Sequence, residues 1–241
     1  TGTAGGPYWI REEASGFTNF NNYVTTYACV DKTPGSTWAG VSGTLTVTGG
    51  TAQASIGTIP DPAPGAVRAI ECTITNAAKP KIVLKKDVEL RRNAPADQFL
   101  MQITDASGST VQAAATTTGT ATGVQSVSAG PYIVNPGTEY RVREVLAATP
   151  SATAMPGYAS SLECQWPDGT VVVSVASFSP SDNRSTSVGT IPTNRAGQTM
   201  TCTYVNTPLQ VPVTVKKIEV DEDGANATPG SGWTVGMTVT R

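Results

Sequence analysis

The sequence contains no histidine. That absence removes the commonest general base, the Ser-His-Asp and Cys-His nucleophile systems, and most zinc sites. Charge is also scarce: Asp, Glu, Lys and Arg make up 14% of the chain, against roughly a quarter in average globular proteins. The net charge of -2 comes with no basic stripe, which argues against nucleic acid or an anionic membrane surface as a partner. No apolar run approaches the roughly 18 residues needed to cross a bilayer, the longest being the short stretch from Val171 to Ala176. The opening Thr1-Gly2-Thr3-Ala4-Gly5-Gly6 lacks the charged start and apolar run of a signal peptide.

What is present points to sheet. A chain of 241 residues with 39% hydrophobic positions can bury a core. The 24 Gly and 17 Pro, with abundant Thr and Val, fit short Thr-faced strands between tight turns. Tyr140, Val142 and Glu144 alternate with Arg141 and Arg143, and Val213, Val215 and Lys217 with Thr214 and Lys216, both at period two. No segment reads as a helix. Ala113-Ala114-Ala115 followed by Thr116 to Thr122 reads as a strand edge or loop, since Thr and Gly disfavour helix there. The expected fold class is all-β, with tandem Ig-like β-sandwich domains of about seven strands per unit.

The chain repeats itself. Tyr8-Trp9-Ile10-Arg11-Glu12 recurs as Tyr140-Arg141-Val142-Arg143-Glu144, and Gly57-Thr58-Ile59-Pro60 as Gly189-Thr190-Ile191-Pro192. Cys72-Thr73-Ile74-Thr75-Asn76 recurs as Cys202-Thr203-Tyr204-Val205-Asn206, and Ile82-Val83-Leu84-Lys85-Lys86 as Val213-Thr214-Val215-Lys216-Lys217. The order is preserved, so residues 77–207 read as one complete unit. Residues 1–76 then read as the C-terminal part of a preceding unit, and 208–241 as the first strands of a following one. This frame implies a longer parent chain; the alternative is a divergent first domain complete in itself.

The four cysteines fall at repeat-equivalent places, Cys29 with Cys72 and Cys164 with Cys202. Of three possible connectivities, only the intra-unit one lets each repeat close independently, and disulfides would put the chain outside the reducing cytosol. Metal binding is disfavoured, since there is no C-x-x-C and no His.

Strand phase places Lys86 with Ile82 and Leu84, Glu144 with Tyr140 and Val142, and Asn206 with Cys202 and Tyr204. Three polar groups therefore point at one core, which is costly unless they satisfy one another. One solution is covalent: a desolvated Lys loses its proton, a buried Glu keeps one, and the amine attacks the Asn carboxamide with loss of ammonia. A first strand ending in Lys, a Tyr-x-Val-x-Glu strand before Gly157-Tyr158, and a last strand Cys-Thr-x-x-Asn-Thr resemble the prealbumin-like, CnaB-type (SpaA-like) repeat domains of bacterial surface adhesins and pilins. The resemblance covers Lys81 to Pro208 and extends to both flanking fragments. It implies an extracellular stalk on a bacterial cell surface, non-enzymatic and without cofactor, whose partners are neighbouring repeats of the same or an adjacent chain. It also implies a Lys–Asn isopeptide bond with a catalytic Glu, here Lys86 (or Lys85 if the phase is off by one), Asn206 and Glu144. The split equivalents are Glu12 with Asn76, and Lys217 for the following unit. Against the clamp stands an ordinary hydrogen-bonded or snorkelled lysine, the disulfides already supplying a cross-link.

Other candidates reduce to structure. Asp221-Glu222-Asp223-Gly224 with Asn226 lacks the spacing of a calcium loop and reads as a solvated hairpin. Trp9, Trp38, Trp166 and Trp233 invite a sugar-stacking platform, but Trp9 and Trp233 sit in strand patterns that favour core packing. Gly230-Ser231-Gly232 precedes a strand and is too short for a phosphate loop. The rival functions are an adhesin module binding glycan or host protein through loops such as 116–128 or 178–187, and an accessory domain of a secreted enzyme.

Overall fold

Short runs of Val, Ile, Tyr and Thr bounded by Gly, Pro and Asp form strands almost throughout the computed structural model, which describes residues 6–60, 67–148, 155, 157–179, 184–209, 218–219 and 228–229. Two units separate, residues 1–208 and residues 209–241. In the second of these, β16 (Ile218–Glu219) pairs antiparallel with β17 (Thr228–Pro229). The segment 213–217 with Lys217, the acidic loop 221–224, Gly230 to Gly232 and Trp233 lie outside the described residues.

The larger unit contains two sandwiches in succession. The central one uses β7 (Lys81–Val88), β8 (Phe99–Asp105), β9 (Val111–Thr116), β10 (Gly123–Ile133), β11 (Glu139–Leu146), β12 (Tyr158–Gln165), β13 (Val171–Phe178), β14 (Ser185–Thr190) and β15 (Thr199–Pro208). Five strands form one sheet in the order β10-β7-β15-β12-β13, and four form the other in the order β14-β11-β8-β9, against about seven strands expected in all. The first and last strands, β7 and β15, are parallel neighbours. Along β15 every second residue is buried, and Met200, Cys202, Tyr204 and Asn206 face a core that also holds Ile82, Leu84, Met101, Ile103, Val142 and Leu162.

The N-terminal sandwich is built from fewer strands: β1 (Pro7–Glu13), β2 (Tyr23–Asp31), β3 (Val41–Thr44), β4 (Thr46–Thr48), β5 (Thr51–Thr58) and β6 (Ile70–Ala78), with one turn of 3₁₀ helix over Phe20–Asn22. Its sheets run β1-β5-β4 and β3-β2-β6. Here β6 stands where β15 stands in the central sandwich, yet among the described residues no strand lies on its other side. Cys72 and Asn76 are consequently exposed where Cys202 and Asn206 are buried.

Repeated sequence becomes repeated geometry. Tyr8 pairs with Gly57 and Trp9 with Ser55, so Ile56 is an extra residue; Tyr140 pairs with Gly189 and Arg141 with Ser187, so Val188 is another. At each bulge the residue after the extra one takes positive φ, Gly57 (φ 76°) and Gly189 (φ 72°), a conformation glycine adopts without steric cost, which accounts for the Gly of both Gly-Thr-Ile-Pro motifs. One expectation is corrected: Trp9 is 63% exposed, because Tyr8, Ile10 and Glu12 take the inward positions of β1. Trp166 is buried, and Trp38 packs against the smaller core.

Disulfides join Cys29 to Cys72 and Cys164 to Cys202, each pair directly opposite on neighbouring antiparallel strands. Each closes a loop worth about 4 kcal/mol in the chain-entropy picture. The N-terminal sandwich has the smaller core, so that contribution is the larger share of its stability. Reduction should therefore expose residues 6–78 to protease before 81–208, as limited proteolysis with and without reductant can measure. Earlier cleavage in the central sandwich would contradict this ranking.

Candidate functional site

Lys86 enters the core because its strand alternates: Ile82, Leu84 and Lys86 face inward while Lys85 is exposed. Glu144 reaches the same place from β11 in the opposite sheet, and Lys86 Nζ lies 3.0 Å from its Oε1 with both side chains fully buried. The ammonium also donates to the carbonyl oxygen of Tyr204 at 3.2 Å and lies 4.8 Å from the centre of the Phe99 ring. Burial pushes Lys86 down from its ordinary value to about 8, with the Glu144 charge opposing the shift.

Asn206 completes the constellation on β15. Its Oδ1 accepts a hydrogen bond from Ser160 Oγ at 2.5 Å, while its buried Nδ2 has no hydrogen-bond partner among the described residues. Ser160 accepts in turn from Arg184 Nε at 3.0 Å, and Arg184 donates again to the Tyr158 carbonyl at 3.2 Å. Arg184 is fully buried and stacks near the Phe178 ring. Tyr204 Oη donates to the Arg184 carbonyl at 2.5 Å, and burial pushes its phenol well above the ordinary range. Lys86 and Glu144 are thus in contact across the two sheets, while Asn206, buried on the strand beside β7, stands opposite Val88 and is held by Ser160. Proton transfer across the 3.0 Å contact turns the ion pair into a neutral amine and a neutral acid without changing the total charge.

The N-terminal sandwich carries the same parts without the lysine. Thr25 Oγ1 donates to Asn76 Oδ1 at 2.6 Å, as Ser160 does to Asn206. Asn76 Nδ2 donates to Glu12 Oε1 at 2.9 Å and Oε2 at 3.1 Å, occupying the carboxylate that Lys86 occupies in the central site. Sequence reading missed Ser160, Thr25 and Arg184. A signal for the hydroxyls was present: once the cysteines face each other, the residue four before the first Cys must oppose the Asn four after the second. Arg184 had none, since it stands just before β14 and obeys no strand alternation.

The profile of the prealbumin-like fold domain matches residues 1–78 and 81–208. The chain belongs to this family. The matched segments are the two sandwiches, each ending on the Asn-bearing strand. Among solved structures, the chain resembles the major pilin of Streptococcus pyogenes at 11% identity and TM-score 0.36. Two single-residue variants of that pilin match at 12% and 11% identity with TM-scores of 0.40; in all three cases 85% of this chain and 99% of the pilin chain are covered. No curated protein matches the sequence. No helix among the described residues is long and apolar enough to cross a membrane.

The depressed Lys86 has a consequence for stability. In the unfolded chain the amine keeps its ordinary value of 10.5, so between about 8 and 10.5 the unfolded state binds more protons than the folded one. The Lys86 contribution therefore improves as pH rises through that window and is flat below it. Asn206→Ala keeps the Lys86–Glu144 pair and cannot cross-link, so it isolates the effect. Urea midpoints of Asn206→Ala, compared with Asn206→Ala/Lys86→Met, should shift in favour of the lysine-bearing protein across the window. A difference independent of pH there would show that burial does not depress Lys86.

Proposed function

We propose that this chain is a load-bearing segment of an extracellular fibre or stalk, of the kind displayed on bacterial surfaces, in which residues 77–207 are the repeating unit. The observation that carries the reading is the placement of β7 and β15. The first and last strands of the central sandwich are adjacent and parallel, so opposite pulls on residues 81 and 208 load all their hydrogen bonds in shear together. The Cys164–Cys202 bridge joins β12 to β15 and leaves β7 without a covalent tie.

A bond between Lys86 and Asn206 supplies that tie. Neutral Lys86 Nζ attacks Asn206 Cγ while the Glu144 carboxyl polarises the carboxamide and relays the proton to its nitrogen. The C–Nδ2 bond breaks, the Cγ–Nζ amide forms, and ammonia leaves; no oxidant or cofactor is required. The depressed Lys86, the 3.0 Å contact to Glu144 and the uncommitted Nδ2 of Asn206 all favour this course. The reaction occurs once per molecule and is maturation, not turnover. Family membership supports a structural role, and the pilin likeness suggests neighbouring subunits as partners.

Intact mass measures the clamp. The purified chain should be lighter than its disulfide-corrected sequence mass by one ammonia, about 17 Da, and Glu144→Ala should restore the difference. In single-molecule pulling from the two ends, residues 86–206 should not extend in wild type and should extend in Glu144→Ala. A full sequence mass removes the clamp; a central sandwich that is also weak under load removes the stalk.

A further inference from the structure

Arg184 is a cation without access to water, and the Lys86–Glu144 ion pair does not account for it. Burying a charge is costly, so a fully buried guanidinium calls for a reason. Its carbonyl accepts from Glu144 N at 3.3 Å, which sets Arg184 opposite the carboxyl-bearing residue at the edge of β11. Ala52 holds the matching place in the N-terminal sandwich, opposite Glu12, and is just as buried. There Thr25 Oγ1 still donates to Asn76 Oδ1 at 2.6 Å. Holding an asparagine by a hydroxyl therefore does not require an arginine, and the one in the central sandwich does something more.

What it adds is polarisation. Arg184 Nε donates to Ser160 Oγ at 3.0 Å, and Ser160 Oγ donates to Asn206 Oδ1 at 2.5 Å. A hydroxyl that accepts from a cation is itself a stronger donor, because each bond in such a run polarises the next. Arg184 Nη2 also donates to the Tyr158 carbonyl at 3.2 Å, which fixes the plane of the guanidinium. Neither Glu144 oxygen accepts a hydrogen bond from it. Arg184, Ser160, Tyr158 and Asn206 are at most 3% exposed, so water does not screen the effect.

We propose that Ser160 and Arg184 form the oxyanion site of the Lys86–Asn206 condensation, an inference that rests on the clamp reading above. When Nζ attacks Cγ, the π pair of the carbonyl moves onto Oδ1, the atom that Ser160 already holds. The hydrogen bond from Ser160 strengthens as that charge appears, and the guanidinium behind it balances the charge. Glu144 moves the proton from the attacking nitrogen to the leaving one, ammonia departs, and the pair on oxygen returns to form the new amide carbonyl. Ser160 and Arg184 end as they began. Glu144 thus serves the nitrogen atoms and Ser160 the oxygen. Ser160 touches the reacting group and is a catalytic residue; Arg184 acts through it and is a positioning residue.

The rate of ammonia loss tests the relay. Cell-free synthesis of the full chain under oxidising conditions, sampled by intact mass over time, gives that rate, and closure of both disulfides in the same samples reports folding. Ser160→Ala should slow the loss by about 100-fold with the disulfides closed as in wild type. Ser160→Thr, which keeps a hydroxyl as Thr25 does, should react at close to the wild-type rate, and Arg184→Met should be slowed by a smaller factor than Ser160→Ala. A pH profile separates the relay from packing. Lys86 and Glu144 share one proton in the reacting state, so the wild-type rate should be flat below about 8 and fall above it. Burial lowers Lys86 most, Glu144 and Asp87 raise it, and Arg184 lowers it. Arg92, 5.5 Å from the centre of the Phe99 ring, and the protonated Tyr204 phenol are the same in every variant. In Arg184→Met the fall should therefore move to higher pH, while in Ser160→Ala the whole profile should drop without moving. A wild type of full sequence mass would remove the clamp and this inference with it. A wild type that loses ammonia while Ser160→Ala matches its rate, or while Arg184→Met keeps both its rate and its profile, would overturn the relay and leave the clamp standing.

Discussion

A lysine and a glutamate with no access to water, contributed by opposite sheets, form the contact around which the central sandwich is organised. Desolvating two charges is repaid only by close approach and by hydrogen bonds to what remains, so the sheets have little freedom to slide. A one-residue slip of β7 would turn Lys86 to solvent and bring Lys85 inward, undoing the pair and flipping Ile82 and Leu84 with it. The Tyr204 carbonyl accepts from Lys86, and its hydroxyl begins a run of buried hydrogen bonds through Arg184 and Ser160 to Asn206 that gives each of these polar groups a partner. The polar cluster thus fixes which register of the two sheets is the native one.

The two copies of the motif show what a neighbour does to identical chemistry. Glu12, Thr25 and Asn76 repeat Glu144, Ser160 and Asn206 in kind and in pairing, yet one set lies in an exposed edge and the other in a closed core. The difference is made by β7, β8 and β10, which are remote in sequence from the residues they shield. Asn76 consequently satisfies Glu12 itself, while Asn206 is released from that duty by Lys86 and keeps its amide nitrogen uncommitted.

The sheet character was legible because Thr, Val and turn residues carry local preferences that tertiary contacts did not override. The inward phase of Lys86, Glu144 and Asn206 was legible for the same reason, as alternation belongs to the strand itself. Trp9 was misjudged: residence in a strand says nothing about which face, and Tyr8 and Ile10 claimed the inward one. Arg184 was invisible because its burial comes from contacts with Phe178 and Tyr204, which are long-range and leave no period in the sequence. The run from Ala113 left strand edge and loop open, since its small residues carry no alternation, and Val111–Thr116 forms an edge strand through its ladder with β8.

The joint between the sandwiches has a mechanical meaning of its own. Only Lys79 and Pro80 separate β6 from β7, and the backbone around them is tied down by bonds from Lys79 to Asn22, Gly197 to Ala78 and Val134 to Pro80. Val24, Ala77, Pro136 and Ala196, from both sandwiches, line a largely apolar cavity beside the junction. A tethered hinge of this kind resists bending, where a Gly- and Ser-rich linker would leave the units free to tumble. In any array built with this joint, end-to-end reach grows in proportion to the number of units, as in a rod, rather than with its square root, as in a loose string.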